Sequence, residues 1–255
     1  MDTWRTKIVA SDEENIWIHG HDIRFLMRQA GFVETIFLLH RGRLPNAGES
    51  KLLDAILVAS ADHGAGAPSC ATARLAASGN RQSVSAAVAA GILAIGDEHG
   101  GAGFGCMKMI AAGLQLIRDQ HFSMEQAAVY LAEDAKSNRT HLPGFGHRKH
   151  TKDPRVEVLF AMAEEYKVAG DGIIFMRTLE AAIRTTIKPI PMNVDGALAA
   201  VLYDLGFPAM AGILFFIVGR VAGLTAEVAE EYAREKPMRI RIPVQYDGEP
   251  PRPME

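Results

Sequence analysis

Four short polar clusters interrupt a chain that is otherwise rich in alanine, leucine and valine. Each places histidine or aspartate beside glycine: Asp62-His63-Gly64, Asp97-Glu98-His99-Gly100-Gly101, residues 143–150 (PGFGHRKH), and Asn193-Val194-Asp195-Gly196. One such cluster is typical of a helix cap or a turn. Glycine also lets a ligand approach the main chain closely, so the set as a whole suggests loops that surround a binding site.

Histidines, one carboxylate and several arginines suit chemistry at a carbon atom next to a carbonyl. A carboxylate base can remove a proton from such a carbon only where a hydrogen-bond donor meets the developing enolate oxygen, and neutral histidine is a good donor. Arginines can hold substrate carboxylates through bidentate contacts and fix the reacting carbons in register. The candidate arginines are Arg148, Arg155, Arg220, Arg239 and Arg241.

Other site chemistries have less support. His147 and His150 form an H-x-x-H pair, but zinc sites usually need three or four well-spaced ligands, and no H-E-x-x-H helix or cysteine cluster supplies the others. We therefore expect no metal. The sequence lacks a G-x-S-x-G nucleophile elbow. It also lacks a glycine-rich strand-to-helix turn of the dinucleotide or P-loop type, so nucleoside-triphosphate chemistry is not indicated.

The composition is that of a globular protein without a global positive field. Of 255 residues, 48% are hydrophobic and 22% are charged, and 27 Lys and Arg stand against 30 Asp and Glu. A net charge of −3 argues against nucleic acid or an anionic membrane as a partner. Cys70 and Cys106 lie far apart, and the N-terminus lacks the apolar region of a secretory signal. We expect a cytoplasmic location.

Helical patterns must position the polar clusters. Apolar residues at three- and four-residue spacings predict helices over residues 49–60, 83–95 and 104–118. Ser123 and Gln126 have the spacing of a capping box. Asp153-Pro154 predicts another helix start, because aspartate suits the cap and proline the first helical position.

The C-terminal third contains a strongly apolar stretch and a proline-rich tail. Residues 208–219 (PAMAGILFFIVG) are fewer than the roughly 20 needed to span a bilayer, and Arg220 follows at once, so they predict a buried core helix. Thr225 is expected to cap a last helix that ends near Glu235. The tail from Pro237 reads as an extended arm that lies against a partner subunit.

The order of these motifs resembles the citrate synthase family across most of the chain. DHG, EHGGA, PGFGH, DPR, NVD and GRVAG follow one another, and an arginine-bearing arm comes last. Residues 18–23 (IHGHDI) and 37–45 (FLLHRGRLP) are similar to the family's Y-R-G-Y-D-I and L-L-x-G-x-L-P segments. The resemblance implies an all-α, citrate synthase-like fold. It implies a large helical domain from residues 1–102 and 192–255, and a smaller helical domain, residues 103–191, that closes over CoA.

The resemblance also assigns catalytic roles. His99 matches the histidine that hydrogen-bonds the thioester carbonyl and stabilises the enol of acetyl-CoA. Asp195 matches the base that removes the α-proton of acetyl-CoA. His147 matches the histidine that polarises the ketone of oxaloacetate and protonates the new alkoxide.

Binding positions follow in the same way. The residues that match the family's carboxylate-binding positions are His63, Arg155, Arg220 and Arg241, with Arg241 expected to reach in from a second subunit. The residues that match the loop along CoA are Pro143, Gly144, Gly146 and Lys149. The substrate is then a CoA thioester, no cofactor is covalently bound, and a homodimer or higher homo-oligomer is expected.

Several departures from the usual citrate synthase pattern favour a smaller relative. The chain begins almost at the Y-R-G-Y-D-like motif, has Gly103 where asparagine usually follows HGGA, and has Pro243 where arginine is common in the arm. Such minimal versions resemble citryl-CoA lyases, counterparts of the C-terminal domain of ATP-citrate lyase. The expected function is cleavage of citryl-CoA, or a similar CoA thioester, to acetyl-CoA and oxaloacetate. Two alternatives stay open: a citrate or 2-methylcitrate synthase that condenses an acyl-CoA with a 2-keto acid, and a non-catalytic CoA-ester binding protein.

Overall fold

A small antiparallel sheet precedes a helical body in the computed structural model, which describes residues 3–146, 153–250 and 252. The sheet has the order β1 (Val9–Ser11), β2 (Ile16–Ile18) and β3 (His21–Asp22), with Val9 opposite Ile18 and Ile18 opposite His21. The helices are α1 (Ile23–Gln29), α2 (Phe32–Arg41), α3 (Ala47–Ala61), α4 (Pro68–Gly79), α5 (Val84–Leu93), α6 (Ala102–Gln120), α7 (Met124–Asn138), α8 (Pro154–Glu165), α9 (Asp171–Thr186), α10 (Val194–Asp204) and α11 (Ala211–Arg234). The described residues thus form the mostly helical fold that the sequence predicts.

Helix starts follow the predicted capping chemistry. Ser123 accepts from the Gln126 N–H at 3.2 Å, and the Gln126 side chain accepts from the Ser123 N–H at 2.7 Å, which completes a capping box on α7. Asp153 caps α8 and accepts from the Arg155 N–H at 3.1 Å. Pro154 occupies the first position of that helix, where its missing N–H costs nothing.

The prediction that Thr225 caps a separate last helix is wrong. Thr225 lies inside α11, and its hydroxyl donates to the Ala222 carbonyl at 2.8 Å, as a threonine in a helix interior can do. The helix continues because its apolar face continues: Leu224 and Val228, on either side of the predicted boundary, are fully buried.

Helix α11 is long and apolar enough to cross a membrane by its length and composition alone, with a mean hydropathy of 1.7 over 18 residues. However, 56% of that stretch is buried inside the protein, and Arg220 lies buried in the middle of the helix. Core helices of soluble proteins pass the same test. The observed burial agrees with the core helix predicted from residues 208–219.

Helix α10 lies at the centre of the apolar core. Every residue of 196–202 (GALAAVL) is buried, and the helix packs against α6, α8, α9 and α11. A helix that is apolar on all sides is stable only when other elements surround it. Its first turn, which carries Asp195, is therefore held within the protein interior. The division into domains at residues 102–103 and 191–192 stays a prediction.

Helices α6 and α11 touch at a pair of glycines. A Cβ atom added to Gly103 would lie 2.6 Å from the Gly212 carbonyl oxygen, well inside van der Waals contact. This contact is a structural reason for glycine at the position where asparagine is usual in the family.

Replacing Gly103 with alanine is expected to destabilise the protein by about 2 kcal/mol, because the two backbones must separate. Gly66→Ala is the matched control, since nothing lies within 4 Å of its added Cβ atom. Urea unfolding at pH 7.5 measures both variants. Equal stability of the two would contradict the close contact.

Candidate active site

His99 is held in a tight turn between α5 and α6. The Gly96 N–H donates to the His99 carbonyl, and the His99 N–H donates to the Gly96 carbonyl, each at 2.9 Å. Gly100 has φ +77°, and the Phe216 ring lies against its Cα, so a side chain there would be both strained and blocked. The His99 ring meets Phe216 edge-on, with 6.0 Å between centroids.

Ser69, the second residue of α4, fixes the protonation of His99. The Ser69 N–H donates to His99 Nε2 at 3.3 Å, and Ser69 Oγ lies 2.9 Å from the same nitrogen. Arg220 donates to Ser69 Oγ at 3.1 Å. Because the serine oxygen accepts this bond, its own O–H is directed at the imidazole and donates to His99 Nε2. Nε2 is therefore an acceptor, and a neutral ring must carry its proton on Nδ1. A neutral imidazole with a directed N–H is the donor that an enolate oxygen requires.

Replacing Ser69 with alanine is expected to lower kcat of the reaction that the family resemblance implies about tenfold, because the hydroxyl that orients His99 is lost and only the backbone N–H remains. KM should change little, since the arginine guanidinium stays in place. Steady-state kinetics with Ser69→Ala, and with Ser85→Ala as an exposed helix-start control, test this. An unchanged kcat in Ser69→Ala would remove the serine from this role.

Arg220 is a buried cation, with 1% of its surface exposed. Its Nε donates to the Ser60 carbonyl at 2.9 Å, and the guanidinium stacks over the Phe216 ring at 5.0 Å. Within the described residues it forms no ion pair with a carboxylate. A buried charge without a counter-ion is costly to the folded protein, so its presence indicates a site built to receive an anion.

Asp195 lies in the first turn of α10, which Asn193 caps by accepting from the Asp195 and Gly196 N–H groups at 3.0 and 3.3 Å. Burial raises the pKa of the Asp195 carboxyl to about 6, against the opposing effect of Arg155 and Arg220 and with a further rise from the Asp153 charge. A carboxyl with a pKa near neutrality can both accept and return a proton. Arg155 and Arg220 thus lie near enough to Asp195 for their charges to act on its carboxyl.

Arg155 reaches this site from the first turn of α8. Its Nε and Nη2 atoms donate to the two Asp153 oxygens at 2.9 and 2.7 Å, and Nη1 donates to the Ala59 carbonyl at 3.1 Å. These bonds use three of the five guanidinium N–H donors. The other two, one on each terminal nitrogen, form no further bond within the described part of the chain and can meet a substrate carboxylate.

The loop that contains Pro143, Gly144 and Gly146 is held against residues 191–193. Gly146 donates to the Pro191 carbonyl at 2.8 Å, Asn193 donates to the Gly144 carbonyl at 3.0 Å, and the Asn193 amide donates to the Gly146 carbonyl at 2.7 Å. Gly144 and Gly146 have φ near +85°, and a Cβ atom on Gly144 would lie 2.7 Å from the Gly196 Cα. The glycines thus have a structural role beside the predicted one toward CoA. His147 and Lys149 lie outside the described residues.

Cys106 of α6 is fully buried, close enough to Asp195 for the Asp195 charge to act on its thiol. Burial, and secondly the Asp195 charge, raise the pKa of its thiol well above the usual range. The sulfur would lie 2.9 Å from a Cβ atom on Gly144. The thiol therefore fills space between the loop and α10 as a neutral group.

His63 and Arg241 come from two further segments of the chain. His63 is partly buried in the connection from α3 to α4, the connection that leads to Ser69. Arg241 is exposed in the extended C-terminal segment, and its charge is not among those that act on Asp195. The root of that segment is fixed, because Arg239 donates to Glu231, which is fully buried, at 2.9 and 2.5 Å.

One group of described side chains has the spacing of a metal site. Oxygen and sulfur atoms of Asp62, Cys70 and Glu227 lie within 4.8 Å of one another. Arg74 pairs with Glu227, and burial raises the pKa of the Cys70 thiol, so two of the three groups are poorly suited to hold a cation. The expected absence of a metal stays a prediction.

Sequence reasoning missed Ser69 and Asp153 as members of the site. Ser69 follows a proline in a sequence typical of a helix start, and the sequence around Asp153 predicts only an N-cap. Only the tertiary contacts distinguish them, because each side chain reaches an element that is distant along the chain.

Comparison with known proteins supports the family predicted from the motifs. The family profile "Citrate synthase, C-terminal domain" matches residues 45–241. Citrate synthase from Haloferax volcanii is 32% identical over 213 residues, which cover 82% of this chain and 53% of that protein. The chain spans about half the length of the curated citrate synthases it matches.

A solved structure of similar size also matches. Citryl-CoA lyase from Hydrogenobacter thermophilus superposes with a TM-score of 0.90 at 35% identity and covers 100% of this chain and 98% of its own. ATP citrate lyase from Methanothrix soehngenii, solved with citrate and coenzyme A, shares the fold with a TM-score of 0.72 at 18% identity, over 97% of this chain and 42% of that protein. The predicted citrate synthase-like fold is confirmed. With a family profile matching most of its residues, the chain belongs to the citrate synthase family.

Proposed function

We propose that this protein is a carbon–carbon lyase that cleaves citryl-CoA, or a close CoA thioester, to acetyl-CoA and oxaloacetate. The observation that carries the proposal is the arrangement of Asp195, His99 and Arg220. His99 and Arg220 both bond to Ser69, and the charge of Arg220, which has no carboxylate partner among the described residues, acts on the Asp195 carboxyl of raised pKa. The full-length likeness to a citryl-CoA lyase supports the choice of substrate.

The chemistry needs three proton-handling groups. His147 takes the proton of the tertiary hydroxyl, and the carbonyl of oxaloacetate forms as the carbon–carbon bond breaks. The electron pair of that bond becomes the enolate of acetyl-CoA, whose oxygen accepts from the Nδ1–H of His99. Asp195 then gives its proton to the enolate carbon, and acetyl-CoA results. Each group acts in the opposite sense in the condensation direction.

The remaining cations hold the acid portion of the substrate. Arg155 and Arg220 offer N–H donors from α8 and α11, and His63 offers a ring nitrogen from the connection before α4. Arg241 completes the set from the partner subunit of a homodimer. The apolar surfaces of α5 and α11 form that dimer interface in our proposal, and Leu93 of α5 is 85% exposed in the single chain.

The CoA portion lies along the loop of Pro143, Gly144 and Gly146, with Lys149 near the phosphates. We also propose a cytoplasmic location, where the two buried cysteines stay reduced.

A citrate synthase activity is the second candidate, favoured by the 32% identity to a citrate synthase over most of this chain. Synthesis requires hydrolysis of the citryl-CoA thioester in addition to the carbon–carbon step. A non-catalytic CoA-ester binding protein is less well supported, because a binding site needs neither a carboxyl of raised pKa nor an oriented histidine.

Measuring two products of one reaction separates these functions. Purified protein is given citryl-CoA, and oxaloacetate and free thiol are measured in parallel. A lyase releases oxaloacetate without free CoA, and a synthase releases free CoA and citrate. Release of neither product, with citryl-CoA still bound, would leave only a binding protein and overturn the proposal.

A further inference from the structure

Asp153 connects three elements of the site. Its side chain is fully buried, and its two oxygens accept from the Nε and Nη2 atoms of Arg155 at 2.9 and 2.7 Å. One of them also accepts from the Val194 N–H at 3.2 Å. Arg155 in turn donates to the Ala59 carbonyl of α3. The carboxylate thus lies at the meeting point of α8, α10 and α3.

The contact with Val194 satisfies a donor that the helix itself leaves unpaired. The first N–H groups of a helix have no partner within it, and Asn193, the cap of α10, serves the N–H groups of Asp195 and Gly196. Asp153 supplies the acceptor for the remaining N–H at the first position. It therefore fixes where the first turn of α10, and with it Asp195, stands relative to Arg155.

The chain contains a second copy of this local motif without the long-range contact. Asp22 caps α1 and accepts from the N–H and Nε atoms of Arg24 at 2.7 and 2.9 Å, in the same aspartate-x-arginine spacing. The Asp22 side chain is 30% exposed, and its neighbours are local in sequence. An aspartate-x-arginine cap therefore needs no burial and no third element to form.

We propose that Asp153 is a positioning residue, which locks the substrate-binding Arg155 and the proton-transferring Asp195 in one register. This inference rests on the proposed function. Arg155, held by its Nε and Nη2 edge, presents its remaining donors in a single direction, and α10 cannot slide along its axis without losing the Val194 contact. A displacement of about 1 Å between a binding group and a reacting group costs on the order of 100-fold in rate.

The charge of Asp153 provides a readout that a purely structural role would not move. Among the described residues, the charged and titratable groups that act on or respond to the Asp195 carboxyl are Arg155 and Asp153 from the start of α8, Arg220 from α11 and Cys106 from α6. The Asp153 charge raises the pKa of Asp195, so its removal should lower that pKa. Cleavage uses protonated Asp195, and its rate declines as the pH rises through this pKa. In a variant without the Asp153 charge, the pH range over which the cleavage rate declines should therefore move to lower pH.

Asp153→Asn is the test variant, because asparagine caps a helix as well as aspartate but cannot pair with Arg155 as an anion. Asp22→Asn is the matched control. For citryl-CoA cleavage by the intact protein, we expect kcat/KM of Asp153→Asn to fall 30- to 100-fold, KM to rise and the declining pH limb to move down. Asp22→Asn should match the wild type. If Asp153→Asn fails to fold, Asp153→Ser keeps the cap and removes the charge.

A second measurement separates this inference from the proposed function. The effect of Asp195→Asn on Tm is followed against pH with Asp153 intact and with Asp153→Asn, and needs no substrate. Because the Asp153 charge raises the pKa of Asp195, we expect the gain in Tm from Asp195→Asn at pH 8 to be smaller in the Asp153→Asn background and to level off at a lower pH. A wild type that does not cleave citryl-CoA would refute the function alone. Unchanged kcat/KM and pH limb in Asp153→Asn, together with an unchanged Tm gain from Asp195→Asn in that background, would overturn the positioning role.

Discussion

Replacing Asp195 with asparagine lowers the rate of citryl-CoA cleavage by about 10³-fold and, at neutral pH, makes the protein more stable. The loss of rate follows because asparagine can neither give nor accept the proton at the enolate carbon. The gain in stability follows because the ionised carboxylate is desolvated in the fold, and the charges of Arg155 and Arg220 do not offset this: its pKa is raised to about 6 from 3.8. Binding of CoA itself should be nearly unchanged.

The stability effect has a defined pH window. A carboxyl whose pKa is higher in the folded protein than in the unfolded chain contributes stability below pH 4, and that contribution is lost as the pH rises through 6. Above pH 6 the ionised group costs up to about 3 kcal/mol, which Asp195→Asn removes. The Tm of the variant should exceed that of the wild type by on the order of 5 °C at pH 8, and the two should converge below pH 4.

Asp204 is the matched control for a buried carboxylate on the same helix. It also has a raised pKa from burial, but it accepts from the N–H groups of Gly170, Gly172 and Ile173 at 2.8, 2.7 and 3.1 Å. Asp204→Asn should therefore lower the Tm while leaving kcat unchanged. Differential scanning calorimetry across pH 4 to 8 gives both values. An Asp195→Asn variant that retains wild-type turnover would exclude Asp195 as the proton-transfer group.

Replacing Arg220 with methionine is expected to raise KM for citryl-CoA by about 100-fold or more while the protein stays folded. The guanidinium is the buried cation of the site, and an apolar side chain of similar length leaves the substrate carboxylate without its charged partner. The free energy of unfolding should change by only about 1 kcal/mol. Loss of the hydrogen bond to the Ser60 carbonyl is offset by removal of a buried charge that has no counter-ion within the described residues.

Citrate binding offers a direct measurement for this variant. Citrate that binds only the native state raises Tm with concentration, and Arg220→Met should lose that shift. Arg220→Lys keeps the charge but not the planar fork, so a reduced shift is expected there. Arg177→Met, which removes a half-exposed arginine paired with Glu164, should keep the full shift. A full citrate-induced shift in Arg220→Met would contradict the anion-binding role.

Much of the local structure could be predicted without coordinates. The capping boxes and proline starts depend on side chains three or four residues apart, and Ser123 and Asp153 cap their helices as predicted. The order of the polar motifs was also enough to indicate the family, because each motif keeps its own residues together along the chain. The same motifs led to the prediction that His99 and Asp195 are site residues.

Other features depended on contacts that no local pattern contains. Gly103 and Gly212 are far apart in sequence and meet only because α6 and α11 cross at that point. Ser69 belongs to the candidate site because its hydroxyl, at the start of α4, contacts both His99 and Arg220.

The sequence by itself determined where several helices begin, which side chains can transfer protons and in what order they occur. The tertiary structure alone decided the protonation of those side chains and their partners: the buried α10 raises the Asp195 pKa, and Ser69 orients His99. The physical reason is the distance along the chain over which each kind of interaction acts. Capping and helical periodicity act within about one turn of a helix, whereas desolvation and electrostatic interactions depend on everything that packs around a group in space.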